Sequence, residues 1–301
     1  MLCIYGIQRG NKNIENMNIE NIEQKFIVKT NHKYPPSNNM IYEEYFYNYI
    51  NNNNINTNLT YLPVLWTNFY LGRGNATKDM SDIQIMLNNL DRNKKFFTVL
   101  QYDDGILQDL SDLDIQVFCA GGGGAKRVPD KNLGYPIPLL TQPKPNIKKN
   151  KNRDIFASFI GAYPRHRVRD KMFTFLQKQN NFHISKKTSY NNFIDVIEKT
   201  TFSLCPRGYG ATSFRICESL QHGSIPVYIY DKDWTPWYDK FDFSDIGIKI
   251  HESEIEKIPE ILKSKTEIDI KNYIKKGEKI YNDYFTFEGC AKKIIENVNE
   301  R

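Results

Sequence analysis

The sequence predicts an α/β protein with two Rossmann-like domains that face each other across a cleft. Apolar runs of strand length alternate with helical patterns in both halves, which favours parallel sheets with crossover helices. Between the halves, residues 141–153 contain two Pro, five basic residues and one aliphatic residue, a composition typical of a linker. We therefore expect one domain at 1–145 and a second at 146–301, whose last helix could pack back on the first domain.

The first half contains three predicted strands and two predicted helices. Residues 81–92 have apolar side chains at helical spacing, and Ser81 is the expected N-cap. A strand at 96–100 leads into the loop Gln-Tyr-Asp-Asp-Gly, and a strand at 115–119 leads into four consecutive glycines. We expect that glycine run to form a flexible turn that approaches a ligand across the cleft. The remaining elements are a helix at 41–50 and a strand at 61–66.

The second half repeats the alternation of strands and helices. From residue 252 onward the pattern is helical to the end of the chain. Open parallel sheets bind ligands outside the carboxyl ends of their strands, so a site is expected there. The predicted strands are 155–160, 182–185, 202–205, 225–230 and 246–250, and the predicted helices between them are 167–177, 190–199 and 212–221.

Composition excludes several classes of protein. The chain has 301 residues with 40% apolar and 25% charged side chains, which argues against wholesale disorder. No apolar run approaches the roughly 18 residues of a membrane span, and residues 1–10 do not resemble a secretory signal. The five cysteines are widely spaced without C-x-x-C, so no disulfide framework or zinc site is expected. We expect a cytoplasmic protein that needs no metal.

Residues 204–227 carry the strongest chemical signal. A buried strand ends at Cys205, and Gly208 and Gly210 allow a tight loop that a ligand can approach closely. Thr212 or Ser213 then caps a helix whose N-terminus offers free N–H groups and a positive dipole end. These features predict a phosphate-binding loop.

Three charged residues extend that prediction to a nucleotide diphosphate. Arg207 and Arg215 flank the helix N-terminus and could donate charge-assisted hydrogen bonds to phosphate oxygens. Glu218 lies further along the helix, where a carboxylate could accept two ribose hydroxyls. The alternative is that Arg215 and Glu218, three residues apart, form only a surface pair worth about 0.2–0.5 kcal/mol.

In these and further segments the chain resembles the exostosin-like glycosyltransferases, glycosyltransferase family 47. The resemblance covers roughly residues 41–290 and is strongest at 155–262. It rests on the block at 204–227, on Phe-Ala-Ser-Phe-Ile-Gly-Ala-Tyr-Pro-Arg at 156–165 followed by Arg169, on Asp-Lys-Asp-Trp-Thr-Pro-Trp-Tyr at 231–238, on Tyr-Leu-Pro-Val at 61–64, and on Tyr-Asp-Asp-Gly at 102–105.

The resemblance implies a GT-B fold and an inverting, metal-independent transfer of a sugar from a nucleotide donor, usually UDP-linked, to a glycan or glycoprotein acceptor. The chain departs from many members at Tyr102 and Asp104, on the acceptor side. Carried over to this sequence, the donor-binding residues would be Arg165, Arg169 and Arg207 at the diphosphate, Gly208 and Tyr209 in the loop, Ser213 and Arg215 at the helix N-terminus, and Glu218 at the ribose.

Inverting transfer needs a base that accepts the acceptor proton, and Asp103 matches the Asp of the family's loop. Its neighbour Asp104 is the other candidate for the base. The alternative is that Asp103 has only a structural role, as a turn residue before Gly105.

Two functions other than sugar transfer are also compatible with the sequence. The basic residues at 144–169 would suit a nucleic-acid-binding protein, and the fold alone would suit a catalytically inactive module that binds nucleotide sugars.

Overall fold

A computed structural model of the chain describes residues 18–27, 40–72, 80–141, 153–163, 166–186 and 189–300. The predicted domain boundary at 145/146 and the predicted donor-binding residue Arg165 lie outside these residues. Within them, no helix is long and apolar enough to cross a membrane.

The first half forms a four-stranded parallel sheet with strand order β1-β2-β3-β4. Its longer strands, β2 and β3, are almost wholly buried and run in register, with Leu100 opposite Cys119 at their carboxyl ends. The strands are β1 (Thr60–Tyr61), β2 (Lys95–Leu100), β3 (Asp114–Cys119) and β4 (Tyr135–Pro136), and the helices are α1 (Tyr42–Asn52), α2 (Trp66–Tyr70), α3 (Met80–Asn88) and α4 (Asp130–Leu133).

Two details of the first half correct the sequence prediction. The strand expected at 61–66 ends at Tyr61, because Pro63 has no N–H to donate to a neighbouring strand, and the chain then turns into α2. Ser81 was expected as the N-cap of α3, but it lies inside the helix, which already begins at Met80.

The second half forms a five-stranded parallel sheet with strand order β6-β5-β7-β8-β9. Helices connect its strands as predicted, so the α/β prediction of a GT-B fold with two Rossmann-like sheets is confirmed. The strands are β5 (Ile155–Gly161), β6 (Phe182–Lys186), β7 (Thr200–Pro206), β8 (Ile225–Tyr230) and β9 (Ile248–His251), and the helices are α5 (Arg167–Leu176), α6 (Tyr190–Lys199), α7 (Phe214–Gln221), α8 (Ile258–Lys263), α9 (Glu267–Ile280) and α10 (Phe287–Asn299).

The last helix, α10, packs against the first half of the chain. Its Phe287 ring lies edge-on to Tyr42 and Tyr45 of α1, with ring centroids 5.3 and 5.0 Å away. At its other end, Asn299 accepts a hydrogen bond from the backbone N–H of Asn58. Helix α10 therefore ties the C-terminus to the first sheet, and one apolar cluster spans both halves.

Direct hydrogen bonds also join the loops at the carboxyl ends of the two sheets. The backbone N–H of Ala211 donates to the carbonyl oxygen of Gly121 at 2.9 Å. The indole N–H of Trp234 donates to the carbonyl oxygen of Cys119 at 3.2 Å. These contacts bring the end of β3 and the loop after it against the loops after β7 and β8.

Candidate active site

A cavity of about 200 Å³ lies between the two halves, at the carboxyl ends of β2, β5 and β7. This is where open parallel sheets bind ligands. Seven of the nine predicted site residues line it: Asp103, Arg169, Gly208, Tyr209, Ser213, Arg215 and Glu218.

The loop after β7 and the first turn of α7 form one wall of the cavity. Ser213 is the N-cap of α7, and its side chain accepts a hydrogen bond from the N–H of Arg215. The loop is closed by a hydrogen bond from the N–H of Gly208 to the carbonyl oxygen of Thr212 at 3.0 Å. The positive end of a helix of eight residues therefore borders the cavity, which suits an anion such as a phosphate.

Arg215 and Glu218 form an ion pair on the cavity side of α7, with Nε and Oε2 3.1 Å apart. Their side chains are only 15% and 19% exposed, so the pair is not the exposed surface pair of the alternative explanation. Arg215 also donates to the carbonyl oxygen of Ile160 at 2.7 Å, and its guanidinium lies 4.1 Å from the ring centroid of Phe193. The cation is thus held in one orientation beside the helix N-terminus.

Arg169 provides a second cation to the same cavity. It lies in α5, and its Nε donates to the carbonyl oxygen of Arg207 at 2.8 Å. Its guanidinium also contacts the carbonyl oxygen of Ala162 and lies 5.6 Å from the ring centroid of Phe159. Residues of α5 and α7 therefore place two guanidinium groups around one cavity, as expected for a diphosphate site.

Arg207 differs from the other predicted site residues that the structure describes. It does not line the cavity, and its buried guanidinium engages Asp231 at 2.7 Å and the carbonyl oxygens of Tyr209 and Gly210 at 2.8 and 3.1 Å. Because its donors bind Asp231 and carbonyl oxygens of the loop, Arg207 holds the loop after β7 in shape.

Asp103 faces α7 from the first half of the chain. It lies in the loop after β2 and lines the same cavity as Arg215 and Glu218. Burial and the neighbouring charge of Asp104 raise the pKa of the Asp103 carboxyl to about 7, although Arg207 opposes the shift. A carboxylate with a pKa near neutrality is well suited to accept and release a proton.

Asp104 has a different environment from its neighbour. It is buried, and its carboxylate accepts hydrogen bonds from the backbone N–H of Lys126 at 3.0 Å and from the hydroxyl of Tyr209 at 3.2 Å. Tyr209 is itself 51% exposed and comes from the opposite half of the chain. Asp104 therefore links the two halves, whereas Asp103 lines the cavity.

Sequence reasoning missed Glu43, which holds the loop that carries Asp103. This fully buried carboxylate in α1 accepts hydrogen bonds from the backbone N–H of Gln101 at 2.7 Å and from the hydroxyl of Thr67 at 2.6 Å. Burial raises the pKa of Glu43 to about 7, although these hydrogen bonds lower it. The sequence does indicate that Glu43 is buried, because Phe46 and Ile50 follow it at i+3 and i+7 and so lie on the same apolar face of the helix.

The sequence contains two Asp-x-Asp triplets, at 112–114 and 231–233, a pattern that can bind a metal ion, and the structure shows ion pairs at the second of them. Asp231 pairs with Arg207, and Asp233 pairs with Lys249. Asp112 and Asp114 are exposed. Across the part of the chain that the structure describes, no group of three His, Cys, Asp or Glu side chains is arranged to hold a metal ion.

The predicted basic patch at 144–169 lies partly outside the described residues. Of its described members, Arg153 donates to the carbonyl oxygens of Thr200 and His222, and Arg167 pairs with Glu252 at 2.7 Å. These residues bind groups of the chain itself, so the nucleic-acid-binding alternative is not favoured.

Comparison with known proteins identifies similar sequences. A family model described as the Exostosin GT47 domain matches residues 102–265, more than half of the chain. The "Exostosin-1 homolog" of Caenorhabditis elegans is 31% identical over 90 residues, which are 30% of this chain and 24% of that protein. A "Probable glucuronosyltransferase" of Oryza sativa subsp. japonica is 28% identical over 138 residues, which cover 42% of this chain and 31% of that protein.

The chain therefore spans about a quarter to a third of the length of these two curated relatives. Among solved structures, TarM aligns with a TM-score of 0.43 and 12% identity, covering 71% of this chain and 52% of TarM.

Gly210 provides a direct test of the contact between the two halves. A Cβ atom there would collide with the Asp103 carboxylate and lie 2.5 Å from the carbonyl oxygen of Gly121. We expect Gly210→Ala to lower the free energy of unfolding by about 1–3 kcal/mol, measured by chemical denaturation, because two loops must move apart. Gly208→Ala is the matched control, since its Cβ would lie 3.4 Å from the Arg169 guanidinium and 3.8 Å from the carbonyl oxygen of Thr212, which are ordinary van der Waals contacts. Equal losses in both variants would contradict this account of the interface.

Proposed function

The chain belongs to the exostosin GT47 family, and we propose that it transfers a sugar from a UDP-linked donor to a hydroxyl group of a glycan acceptor. One observation carries this proposal: the N-terminus of α7, Arg169, Arg215, Glu218 and Asp103 border a single cavity. These groups match the chemical needs of the donor on one wall and of the acceptor hydroxyl on the other.

The donor would bind on the side of the second sheet. Its diphosphate would lie at the N-terminus of α7, where the helix dipole and the guanidinium groups of Arg169 and Arg215 stabilise negative charge. Glu218 would accept hydrogen bonds from the ribose hydroxyls with the carboxylate oxygen that does not pair with Arg215. These cations could supply the positive charge that other transferases take from a metal ion, so we propose metal-independent transfer.

Asp103 would act as the base from the opposite wall. It would accept the proton of the acceptor hydroxyl while that oxygen forms a bond to the anomeric carbon of the donor sugar. The bond from this carbon to the diphosphate oxygen breaks at the same time, and the electron pair leaves with UDP. Attack from the side opposite the leaving group inverts the anomeric carbon.

Arg207 and Glu43 would support this reaction without touching the substrates. Arg207 holds the loop that contains Gly208 and Tyr209, and Glu43 holds the backbone at Gln101, before Asp103. Both are positioning residues, because each fixes the backbone of one wall through buried hydrogen bonds.

We expect UDP to bind in the absence of divalent metal and in the presence of EDTA. Glu218→Ala and Arg215→Ala should each weaken binding by roughly 10- to 100-fold, the loss typical of a charge-assisted hydrogen bond. Calorimetric titration measures this directly. Arg167→Ala is the matched control, because Arg167 lies in α5 near Arg169 but its side chain is 70% exposed and outside the cavity. Wild-type affinity in both cavity variants would contradict the proposed donor site.

We expect Asp103→Asn to lower kcat by roughly 10²–10⁴-fold while UDP affinity stays close to that of the wild type. Asp104→Asn should cost much less. Since a base must be deprotonated to accept a proton, kcat/KM of the wild type should fall about tenfold per pH unit below about 7. The pH–rate profile of Asp103→Asn should lack this acid limb. Full activity in Asp103→Asn would exclude Asp103 as the base, and UDP binding without any turnover in the wild type would favour the inactive binding module.

A further inference from the structure

The charged residues of the cavity proposed for the donor are divided between its two walls. Among the described residues that line it, Arg169 and Arg215 are the cations, and Asp103 and Glu218 are the carboxylates. Both cations belong to the second half and lie beside the loop after β7 and the first turn of α7. The first half contributes only Asp103 and the apolar side chain of Leu139 to the described lining. The wall that faces α7 therefore carries a carboxylate and no described cation.

The carboxylate of Asp103 reaches the loop after β7 itself. It lies so close to Gly210 that a Cβ atom there would collide with it. Gly210 is three residues before Ser213, the N-cap of α7, where the diphosphate would bind. The sugar of such a donor would therefore lie beside the carboxylate of Asp103.

Arg207 acts on Asp103 from outside the cavity, and its donors are engaged elsewhere. Its Nε donates to the carbonyl oxygen of Gly210 at 3.1 Å, and its Nη2 donates to that of Tyr209 at 2.8 Å. Its Nη1 pairs with Asp231 at 2.7 Å. An anionic group on the sugar could bind this guanidinium only by breaking bonds that hold the loop after β7.

Sugar donors differ in the charge that they carry at C6. A hexose such as glucose has a hydroxymethyl group there, whereas a uronic acid has a carboxylate. A hydroxyl group can donate a hydrogen bond to a carboxylate, but an ionised carboxylate only accepts hydrogen bonds. Because only C5 and the ring oxygen separate C6 from the anomeric carbon, a charge at C6 lies close to the carbon at which transfer occurs.

A carboxylate at C6 would therefore meet Asp103 as a like charge. Two like charges about 6 Å apart, at an effective dielectric constant of about 20, weaken binding by roughly 100-fold, and solvent and salt reduce this effect. The second charge would also raise the pKa of Asp103 and leave less of the base deprotonated. Repulsion of this kind is a common means of rejecting a wrong ligand.

We propose that the cavity selects UDP-linked neutral sugars and rejects UDP-linked uronic acids, and that Asp103 is the residue that discriminates between them. The inference rests on the proposed function, and it names the class of sugar that is transferred. The diphosphate engages the two guanidinium groups, so a further carboxylate on the sugar is left to the wall that carries Asp103.

Matched pairs of donors test this proposal, because the two members of a pair differ only at C6. The pairs are UDP-glucose with UDP-glucuronic acid and UDP-galactose with UDP-galacturonic acid. They are titrated into the full chain by calorimetry at pH 8, above the pKa of about 7 of Asp103. In the pair with the higher affinity, we expect the neutral member to bind at least tenfold more tightly than the uronic acid.

The charge of Asp103 is tested by its amide variant. Asp103→Asn should reduce the affinity ratio of that pair at least threefold, because the amide removes the charge and keeps the size of the side chain. Asp112→Asn is the matched control, since Asp112 is an exposed carboxylate of the first half outside the cavity, and it should preserve the ratio. UDP affinity reports on folding, and we expect it to be the same in both variants.

The two levels of the proposal fail in different ways. If the uronic acid binds within tenfold of its neutral partner, or if Asp103→Asn changes the ratio less than threefold, the discrimination by Asp103 is wrong, although UDP binding would still support the donor site. If the wild-type chain does not bind UDP, the proposed function itself is wrong.

Discussion

The contact between the loop after β7 and the loops of the first sheet is the constraint on which the site depends. Gly210 lies against Asp103, and the N–H of Ala211 donates to the carbonyl oxygen of Gly121. Neither sheet alone holds the chemistry that we propose, because the guanidinium groups and the helix N-terminus belong to one half and the carboxylate to the other. Only a residue without a side chain lets the two backbones approach this closely.

Burial at this contact explains the electrostatics of the site. The second half covers Asp103, which removes water from its carboxyl group and raises its pKa, and the nearby charge of Asp104 adds to the shift. Arg207 opposes the rise in the pKa of Asp103. An unpaired guanidinium would be costly at its buried position, and Arg207 binds Asp231 and carbonyl oxygens of the loop after β7. A single packed interface thus holds the backbone of the donor loop and tunes the proposed base.

The sequence was informative where the chemistry is local. The cap at Ser213 and the glycine loop before α7 follow from neighbouring residues, so the helix and its phosphate-binding wall could be predicted. Arg207 shows the limit of this reasoning, because a motif does not reveal that the guanidinium turns inward to Asp231. Glu43 depends on residues that are distant in sequence, Gln101 and Thr67, and only the folded chain brings them together.

A crystal structure of the full chain with UDP would test the central claim most directly. We predict that the diphosphate lies at the N-terminus of α7 within hydrogen-bond distance of Arg169 and Arg215, that the ribose hydroxyls contact Glu218, and that Asp103 faces the β-phosphate across the cavity. UDP bound outside this cavity, or a diphosphate held by neither arginine, would contradict the account.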